Sequence, residues 1–148
     1  MKKNELLEKA IKIASNAHFG QKDKAGKPYI FHPLRVMERC TCIDEKIVAM
    51  IHDTIEDTEI TANSLIKEGF PDYIVEAVQC LTRLENESYQ DFIHRVSQNH
   101  LATKVKIADL QDNLDLSRLS YISDSDFARI NKYIKALDYL NKLQQEDI

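Results

Sequence analysis

The stretch EKIVAMIHDTIEDT, residues 45–58, contains the clearest structural signal in the chain. When it is placed on a helix at about 100° per residue, its β-branched apolar residues fall together on one side. These residues are Ile47, Val48, Ile51 and Ile55. Such spacing predicts an amphipathic helix whose apolar side packs into a protein core.

Helical spacing continues outward from this stretch in both directions. Asp44 is expected to be the N-cap of the helix, which runs to about Asp53 or Asp57. Residues 20–31 hold two of the three glycines and one proline, and we predict a structured loop there. The other predicted helices cover residues 5–18, a short helix that opens at His32-Pro33, a segment closed by Gly69, and residues 71–84, 88–99, 101–115 and 125–145.

The composition agrees with one globular domain over residues 1–148. The length of 148 residues is typical of a single domain, and 43% hydrophobic residues suffice for a core. Only 3 glycines and 3 prolines are present, too few for the turns of an all-β fold. We therefore predict a compact all-α bundle of about seven or eight helices.

Charge and cysteine content bear on the partners and the compartment. The formal net charge of −4 disfavours a protein that binds nucleic acid through nonspecific contacts. The N-terminal apolar residues are spaced rather than consecutive, so we expect neither a signal peptide nor a membrane partner. Three cysteines without a secretory signal favour free thiols and a cytoplasmic location. A homo-oligomer is left open.

The side of the 45–58 helix opposite the isoleucines gathers ionisable groups. His52 and Asp53 are adjacent, and Glu56 and Asp57 follow one turn later. An ordinary solvated acidic face is one interpretation. A metal site is the other, because imidazole and carboxylate together suit Mn²⁺, Fe²⁺ or Zn²⁺ and a bound dication relieves the repulsion among the carboxylates.

Two further segments carry polar residues in unusual places. Asp109 falls within the apolar side of the helix predicted over 101–115, where an unpaired carboxylate is costly, so it needs a salt bridge or a metal. Lys106 and Asn113 point the same way and could hold a polar ligand. His32 follows a loop with three lysines, at the junction with a helix.

Four stretches, in this order, resemble the HD-domain metal-dependent phosphohydrolases. The closer similarity is to the hydrolase domain of RelA/SpoT-type alarmone enzymes and their small stand-alone relatives. The stretches are AHFGQKDKAGKPYIFHP (17–33), IHDTIEDT (51–58), LTR (81–83) and VKIADLQDN (105–113). With the flanking helices, the resemblance covers about residues 10–143.

The resemblance implies an activity, a metal and a set of site residues. Its members hydrolyse the 3′-pyrophosphate of guanosine tetra- or pentaphosphate with a water activated by one Mn²⁺, although another divalent transition metal is an alternative. The implied metal ligands are His32, His52, Asp53 and Asp109, and the implied catalytic pair is Glu56 and Asp57. Lys24 and Asn113 are the implied nucleotide contacts. Their charge and position make Lys22 and Lys106 further candidates for binding the phosphorylated nucleotide.

The chain departs from the family pattern at three positions. Asp23 stands where an arginine is usual, and Leu110 and Asp112 replace a basic residue and a histidine. We expect these changes to remove positive or stacking groups near the nucleotide. They leave two alternatives open: the same chemistry on another nucleotide, such as NADPH or a deoxynucleotide, or a noncatalytic nucleotide-binding module.

Overall fold

Helices make up most of residues 1–146, the part of the chain that the computed structural model describes. Nine α-helices occur within these residues: α1 (Lys3–Ala17), α2 (Phe31–Arg39), α3 (Ile43–Ile51), α4 (Thr54–Asp57), α5 (Ala62–Lys67), α6 (Asp72–Cys80), α7 (Tyr89–Ser97), α8 (His100–Asn113) and α9 (Asp124–Glu146). A 3₁₀ turn covers Leu116–Arg118. The β-structure of this region is limited to one isolated bridge between Lys22 and Pro28. The all-α prediction is confirmed.

The centre of the fold is α3, which packs against α1, α2, α6 and α8. All five residues from Ile47 to Ile51 are completely buried. A helix that is apolar on nearly every side belongs in the interior, so the expected polar side of this helix is absent along α3 itself. The predicted polar residues His52, Asp53, Glu56 and Asp57 follow the end of α3.

The single helix predicted over residues 44–57 is interrupted after Ile51. At the end of α3, the side chain of His52 donates from Nδ1 to the carbonyl oxygen of Ala49 at 2.5 Å. The Thr54 hydroxyl donates to the carbonyl oxygen of Ile51 at 2.8 Å. These side chains satisfy carbonyl groups at the end of α3, and the chain restarts as the short α4.

The start of α3 corrects a second prediction. Its N-cap is Cys42, and Asp44 lies inside the first turn of the helix. The Asp44 carboxylate accepts hydrogen bonds from Lys3 Nζ at 3.3 Å and from Tyr73 OH at 3.2 Å. Asp44 therefore ties α3 to α1 and α6 rather than capping its own helix.

The short helix expected at His32-Pro33 begins one residue earlier, as α2. Pro33 is its third residue, within the first turn, where a backbone N–H has no partner inside the helix. This start places His32 at the end of α2 that meets α8 and the turn after α3. Among the described helices, none is both long enough and apolar enough to cross a membrane.

Candidate metal centre

Four side chains from three helical regions meet beside the break after α3. They are His32 of α2, His52 and Asp53 of the turn between α3 and α4, and Asp109 of α8. His32 Nε2 lies 2.9 Å from Asp109 Oδ1 and 3.7 Å from Asp53 Oδ2. His52 Nε2 lies 3.1 Å from Asp53 Oδ2 and 3.5 Å from Asp109 Oδ1. The predicted metal ligands are thus brought together, although the sequence separates them by up to 77 residues (109 − 32).

The orientation of the two imidazoles fits a cation. Each ring donates from Nδ1 to an oxygen on the protein side, His52 to Ala49 and His32 to Asp112. Both Nε2 atoms therefore face the carboxylates of Asp53 and Asp109. His52 Nε2 is buried and has no hydrogen-bond partner. Two imidazole nitrogens and two carboxylates form a donor set that divalent transition metals accept.

Electrostatics keep the two aspartates of this cluster ionised. Burial raises the pKa of Asp109, but Lys106 and the two histidines outweigh burial and bring it well below its usual value. Burial also raises the pKa of Asp53, but interaction with His52 lowers it to about 2. Both carboxylates are therefore in the charge state in which they can bind a metal ion.

Neighbouring carboxylates raise the pKa of both histidines in the cluster. Burial lowers the pKa of His32, but hydrogen bonds to Asp109 and Asp112 raise it to about 9. Burial also lowers the pKa of His52, but Asp53 and Asp109 outweigh burial and raise this pKa well above its usual value. A cation that binds at both Nε2 atoms therefore competes with protons for them.

Asp109 also has the salt bridge that the sequence offered as an alternative to a metal. Its Oδ2 accepts a hydrogen bond from Lys106 Nζ at 2.9 Å, and its Oδ1 accepts one from Asn113 Nδ2 at 3.2 Å. Oδ1 is also the atom next to His32 Nε2. Lys106 and Asn113 point toward Asp109 as predicted, and the salt bridge leaves Oδ1 facing the imidazoles.

The acidic pair Glu56-Asp57 lies next to Asp53. Ligand oxygens of these three carboxylates lie within 4.8 Å of one another. Partial burial, Asp53 and Glu56 raise the pKa of Asp57 to about 6. Glu56 Oε1 accepts a hydrogen bond from the backbone N–H of Arg83 at 2.8 Å. The pair therefore contains one carboxyl that exchanges its proton near neutral pH and one whose position is fixed by the turn after α6.

A cleft of about 410 Å³ opens beside the cluster, and three of the four predicted ligands, His32, Asp53 and Asp109, line it. Its lining includes six basic side chains, from the 20–31 loop, α2, α8, the segment after α8, and α9. These are Lys22, Lys24, Arg35, Lys106, Arg118 and Arg129. The four predicted substrate-binding residues, Lys22, Lys24, Lys106 and Asn113, all line this cleft. Six carboxylates line it as well, so its basic side chains can contact phosphate groups although the cleft carries no excess of positive charge.

Two of the three departures from the family pattern do not act where we expected. Leu110 is completely buried in the apolar core. Asp112 is also completely buried, on the far side of His32 from the metal cluster. Neither residue lines the cleft, so the expectation that both remove groups near the nucleotide is wrong. Because α8 is buried over most of its length, its turns place these side chains in the interior.

Asp23, the third departure, does line the cleft. Its Oδ1 accepts hydrogen bonds from the backbone N–H groups of Ala25 and Lys27, each at 2.9 Å. The turn that these bonds stabilise contains Gly26 at φ +81°, a conformation that favours glycine. Asp23 therefore holds the shape of the loop that presents Lys22 and Lys24.

Sequence reasoning missed Tyr29 as a residue of the site. The Tyr29 hydroxyl donates a hydrogen bond to Asp53 Oδ2. Its ring packs between those of His18 and His32, at centroid distances of 4.9 and 5.6 Å. Arg35 was also missed, although its spacing of three residues from His32 on one helix was an available signal. Nothing in the sequence indicated that Tyr29 reaches Asp53.

Known proteins resemble this chain in sequence. No family model matches the chain. A protein named guanosine-3′,5′-bis(diphosphate) 3′-pyrophosphohydrolase from Aquifex aeolicus is 30% identical over 122 residues, which is 74% of this chain and 17% of that protein. A protein named GTP pyrophosphokinase from Myxococcus xanthus is 29% identical over 144 residues, which is 85% of this chain and 19% of that protein. The chain spans less than a fifth of each of these relatives.

The fold also has a counterpart among solved structures. A structure described as a metazoan ortholog of SpoT that hydrolyzes ppGpp matches with a TM-score of 0.75. The match covers 91% of this chain and 85% of that chain, at 22% sequence identity. At this identity the likeness establishes a common fold.

Proposed function

Because this chain belongs to the RelA/SpoT-type HD domains, we propose that it is a metal-dependent phosphohydrolase of guanosine 3′,5′-bis(diphosphate) and its pentaphosphate analogue. The reaction would release pyrophosphate from the 3′ position and leave GDP or GTP. One observation carries the proposal: two imidazoles and two carboxylates converge beside a cleft that six basic side chains line. The name of the Aquifex relative supports this substrate.

The metal would be held by His32, His52, Asp53 and Asp109. Mn²⁺ is the proposed ion because a mixed set of imidazole and carboxylate ligands suits it better than Mg²⁺, which prefers oxygen ligands and water. When bound, the cation supplies Lewis-acid activation of water and of a phosphoryl oxygen. Tyr29 would hold Asp53 in place through its hydrogen bond to Oδ2.

Glu56 and Asp57 would orient the attacking water and transfer protons during the reaction. The Arg83 N–H fixes Glu56 Oε1, so that Oε2 is available to accept a hydrogen bond from the attacking water. Asp57 has a pKa of about 6 and can accept a proton and return it near neutral pH. Proton transfer by a positioned carboxyl typically contributes about 100- to 10,000-fold to a rate.

The basic residues of the cleft would bind the phosphates. Lys22 and Lys24 extend from the loop that Asp23 stabilises, and Lys106 lies beside Asp109. Asn113 could donate a hydrogen bond from its amide. Six carboxylates line the same cleft, so direct contacts from these basic side chains, rather than an excess of positive charge, would bind the phosphates of the nucleotide.

The names of the relatives divide between hydrolysis of alarmones and their synthesis. Hydrolysis is favoured by the chemistry of the cluster. Phosphoryl transfer from ATP typically uses Mg²⁺ held by carboxylates and by the substrate phosphates. The two imidazoles at this site instead suit a metal that activates water.

Asp23 favours a second candidate, the same chemistry on another phosphorylated nucleotide. A carboxylate engaged with the loop backbone cannot stack on guanine as an arginine can. NADPH and deoxynucleoside triphosphates are the substrates to compare. A preference for one of them would preserve the reaction class and change the base that the cleft accepts.

The test is an assay of the purified chain with Mn²⁺ and a panel of nucleotides separated by ion-exchange chromatography. We expect guanosine tetraphosphate to yield GDP and pyrophosphate in equal amounts, and GDP with ATP to yield no tetraphosphate. Cleavage of NADPH or a deoxynucleotide alone would support the second candidate. Failure to cleave any nucleotide, with Mn²⁺ bound, would contradict both.

A further inference from the structure

A buried carboxylate, Asp112, lies on the protein side of the metal cluster. It is completely buried, and its Oδ2 accepts a hydrogen bond from His32 Nδ1 at 2.8 Å. Asp112 is not one of the four predicted ligands and does not line the cleft. Its contact with His32 joins two residues 80 positions apart and therefore depends on the packing of α2 against α8.

Two arginines hold this carboxylate. Arg35 donates from Nε to Asp112 Oδ1 at 2.8 Å and from Nη2 to Oδ2 at 3.2 Å, the paired geometry that suits a guanidinium and a carboxylate. Arg118 donates from Nη2 to the Asp112 backbone oxygen at 3.3 Å. Burial raises the pKa of Asp112, but hydrogen bonds from His32 and Arg35 lower it to about 2. The buried charge is thus fully compensated.

We propose that Asp112 is a positioning residue of the metal site, which holds the Nδ1 proton of His32 so that Nε2 faces the cation. This inference rests on the proposed metal site. Metal-binding histidines commonly donate their other N–H to a carboxylate or a carbonyl, which fixes the tautomer and makes the ligand nitrogen more basic. His52 uses the neutral Ala49 carbonyl for this purpose, whereas His32 uses an anion.

The arrangement follows from a residue that departs from the family pattern. The family that this chain resembles has a histidine at the position of Asp112, and an imidazole has one acceptor nitrogen at most, so it cannot accept from both His32 and Arg35. The Asp112 carboxylate accepts from both His32 and Arg35, and Arg118 Nη2 lies 3.7 Å from its Oδ2 as an ion pair. The same contacts connect the ligand His32 to Arg35 and Arg118, which both line the cleft.

The affinity for Mn²⁺ alone tests the proposal, measured from the electron paramagnetic resonance signal of the free ion. Loss of such a partner typically weakens metal binding about 10- to 100-fold, so we expect Asp112→Ala to raise the Kd for Mn²⁺ by that factor. Asp112→Asn keeps the size of the side chain and one acceptor oxygen, so its Kd for Mn²⁺ should lie between those of the unaltered chain and Asp112→Ala. Asp138→Asn is the matched control, because Asp138 pairs with Lys142 on the exposed side of α9 and touches none of these residues, and its Kd should equal that of the unaltered chain.

A second measurement separates positioning from a general structural role. With the diamagnetic ion Zn²⁺ bound, the imidazole Nδ1 protons of His32 and His52 should both appear in the downfield proton spectrum. Asp112→Ala should remove or shift the His32 signal and leave that of His52. Equal Mn²⁺ affinity in the unaltered chain and Asp112→Ala would overturn this inference alone. Absence of Mn²⁺ binding by the unaltered chain would overturn the proposed function as well.

Discussion

Asp53 and Asp109 contribute the negative charge that the two imidazoles face. Each carboxylate lies within 3.7 Å of both Nε2 atoms. Truncation of either residue would therefore remove a ligand oxygen from the centre of the cluster. We expect Asp53→Ala or Asp109→Ala to abolish binding of Mn²⁺, as measured by metal content after gel filtration. Retention of one ion per chain in either variant would remove that residue from the proposed ligand set.

Replacement of Asp109 should also lower the stability of the fold. Its loss leaves Lys106 buried without its partner, and breaking a buried ion pair from one side typically costs about 3–5 kcal/mol. Asp53 is more exposed and does not contact Lys106, so Asp53→Ala should lose the metal at a smaller cost in folding. Thermal unfolding of both metal-free variants, compared with the metal-free parent, checks this order.

Glu56 has a different predicted role from the ligands. Its carboxylate is fixed by the backbone of Arg83 rather than by the histidines, so Glu56→Gln should keep the metal. We expect kcat to fall by about 100- to 10,000-fold, the typical contribution of a positioned carboxyl. Glu85→Gln, on the same exposed turn as Arg83, is the control and should behave as the parent. A fully active Glu56→Gln protein would exclude Glu56 from the mechanism.

At the scale of elements, the turn between α6 and α7 connects folding to the site. Arg95 of α7 donates to Glu87 and to the carbonyl oxygens of Gln79 and Thr82. The same turn carries the Arg83 N–H that fixes Glu56. Hydrogen bonds from Arg95 lower the pKa of Glu87 to about 2. The ion pair thus contributes stability when Glu87 is ionised.

Glu87→Gln should show this contribution through its pH dependence. A carboxyl with a depressed pKa stabilises the fold above its unfolded pKa of about 4.3, and the stabilisation disappears as the pH falls through the folded pKa. We expect the variant to melt about 2–4 °C below the parent at pH 7. The difference should shrink between about pH 4.3 and 2. A difference that persists unchanged at pH 2 would contradict the assigned ion pair.

The elements also show where sequence reasoning ends. The isoleucines of the 45–58 stretch predict an amphipathic helix, but the break after Ile51 depends on side-chain hydrogen bonds of His52 and Thr54 that periodicity does not reveal. All four predicted metal ligands lie in the stretches that resemble the family, so the sequence was sufficient to name them. The supporting contacts of Tyr29 and Asp112 could not be predicted, because they depend on how the 20–31 loop and α8 pack against distant parts of the chain.

At the scale of the whole molecule, metal binding should stabilise the fold. The proposed ligands come from α2, the turn after α3, and α8, so a cation would join three regions of the bundle. An ion at 100 times its Kd adds about 2.7 kcal/mol, which for a domain of this size raises Tm by about 5–11 °C. Differential scanning fluorimetry with Mn²⁺, and again after a chelator, measures the shift. Asp53→Ala is the control and should show no shift.

The most direct test of the central claim is an anomalous difference map, recorded at the manganese edge, of crystals soaked in Mn²⁺. We predict one strong peak bounded by Nε2 of His32, Nε2 of His52, and the carboxylates of Asp53 and Asp109. The peak should be within direct bonding distance of all four side chains. A map without a peak among these residues, or with the ion held elsewhere, would contradict the account.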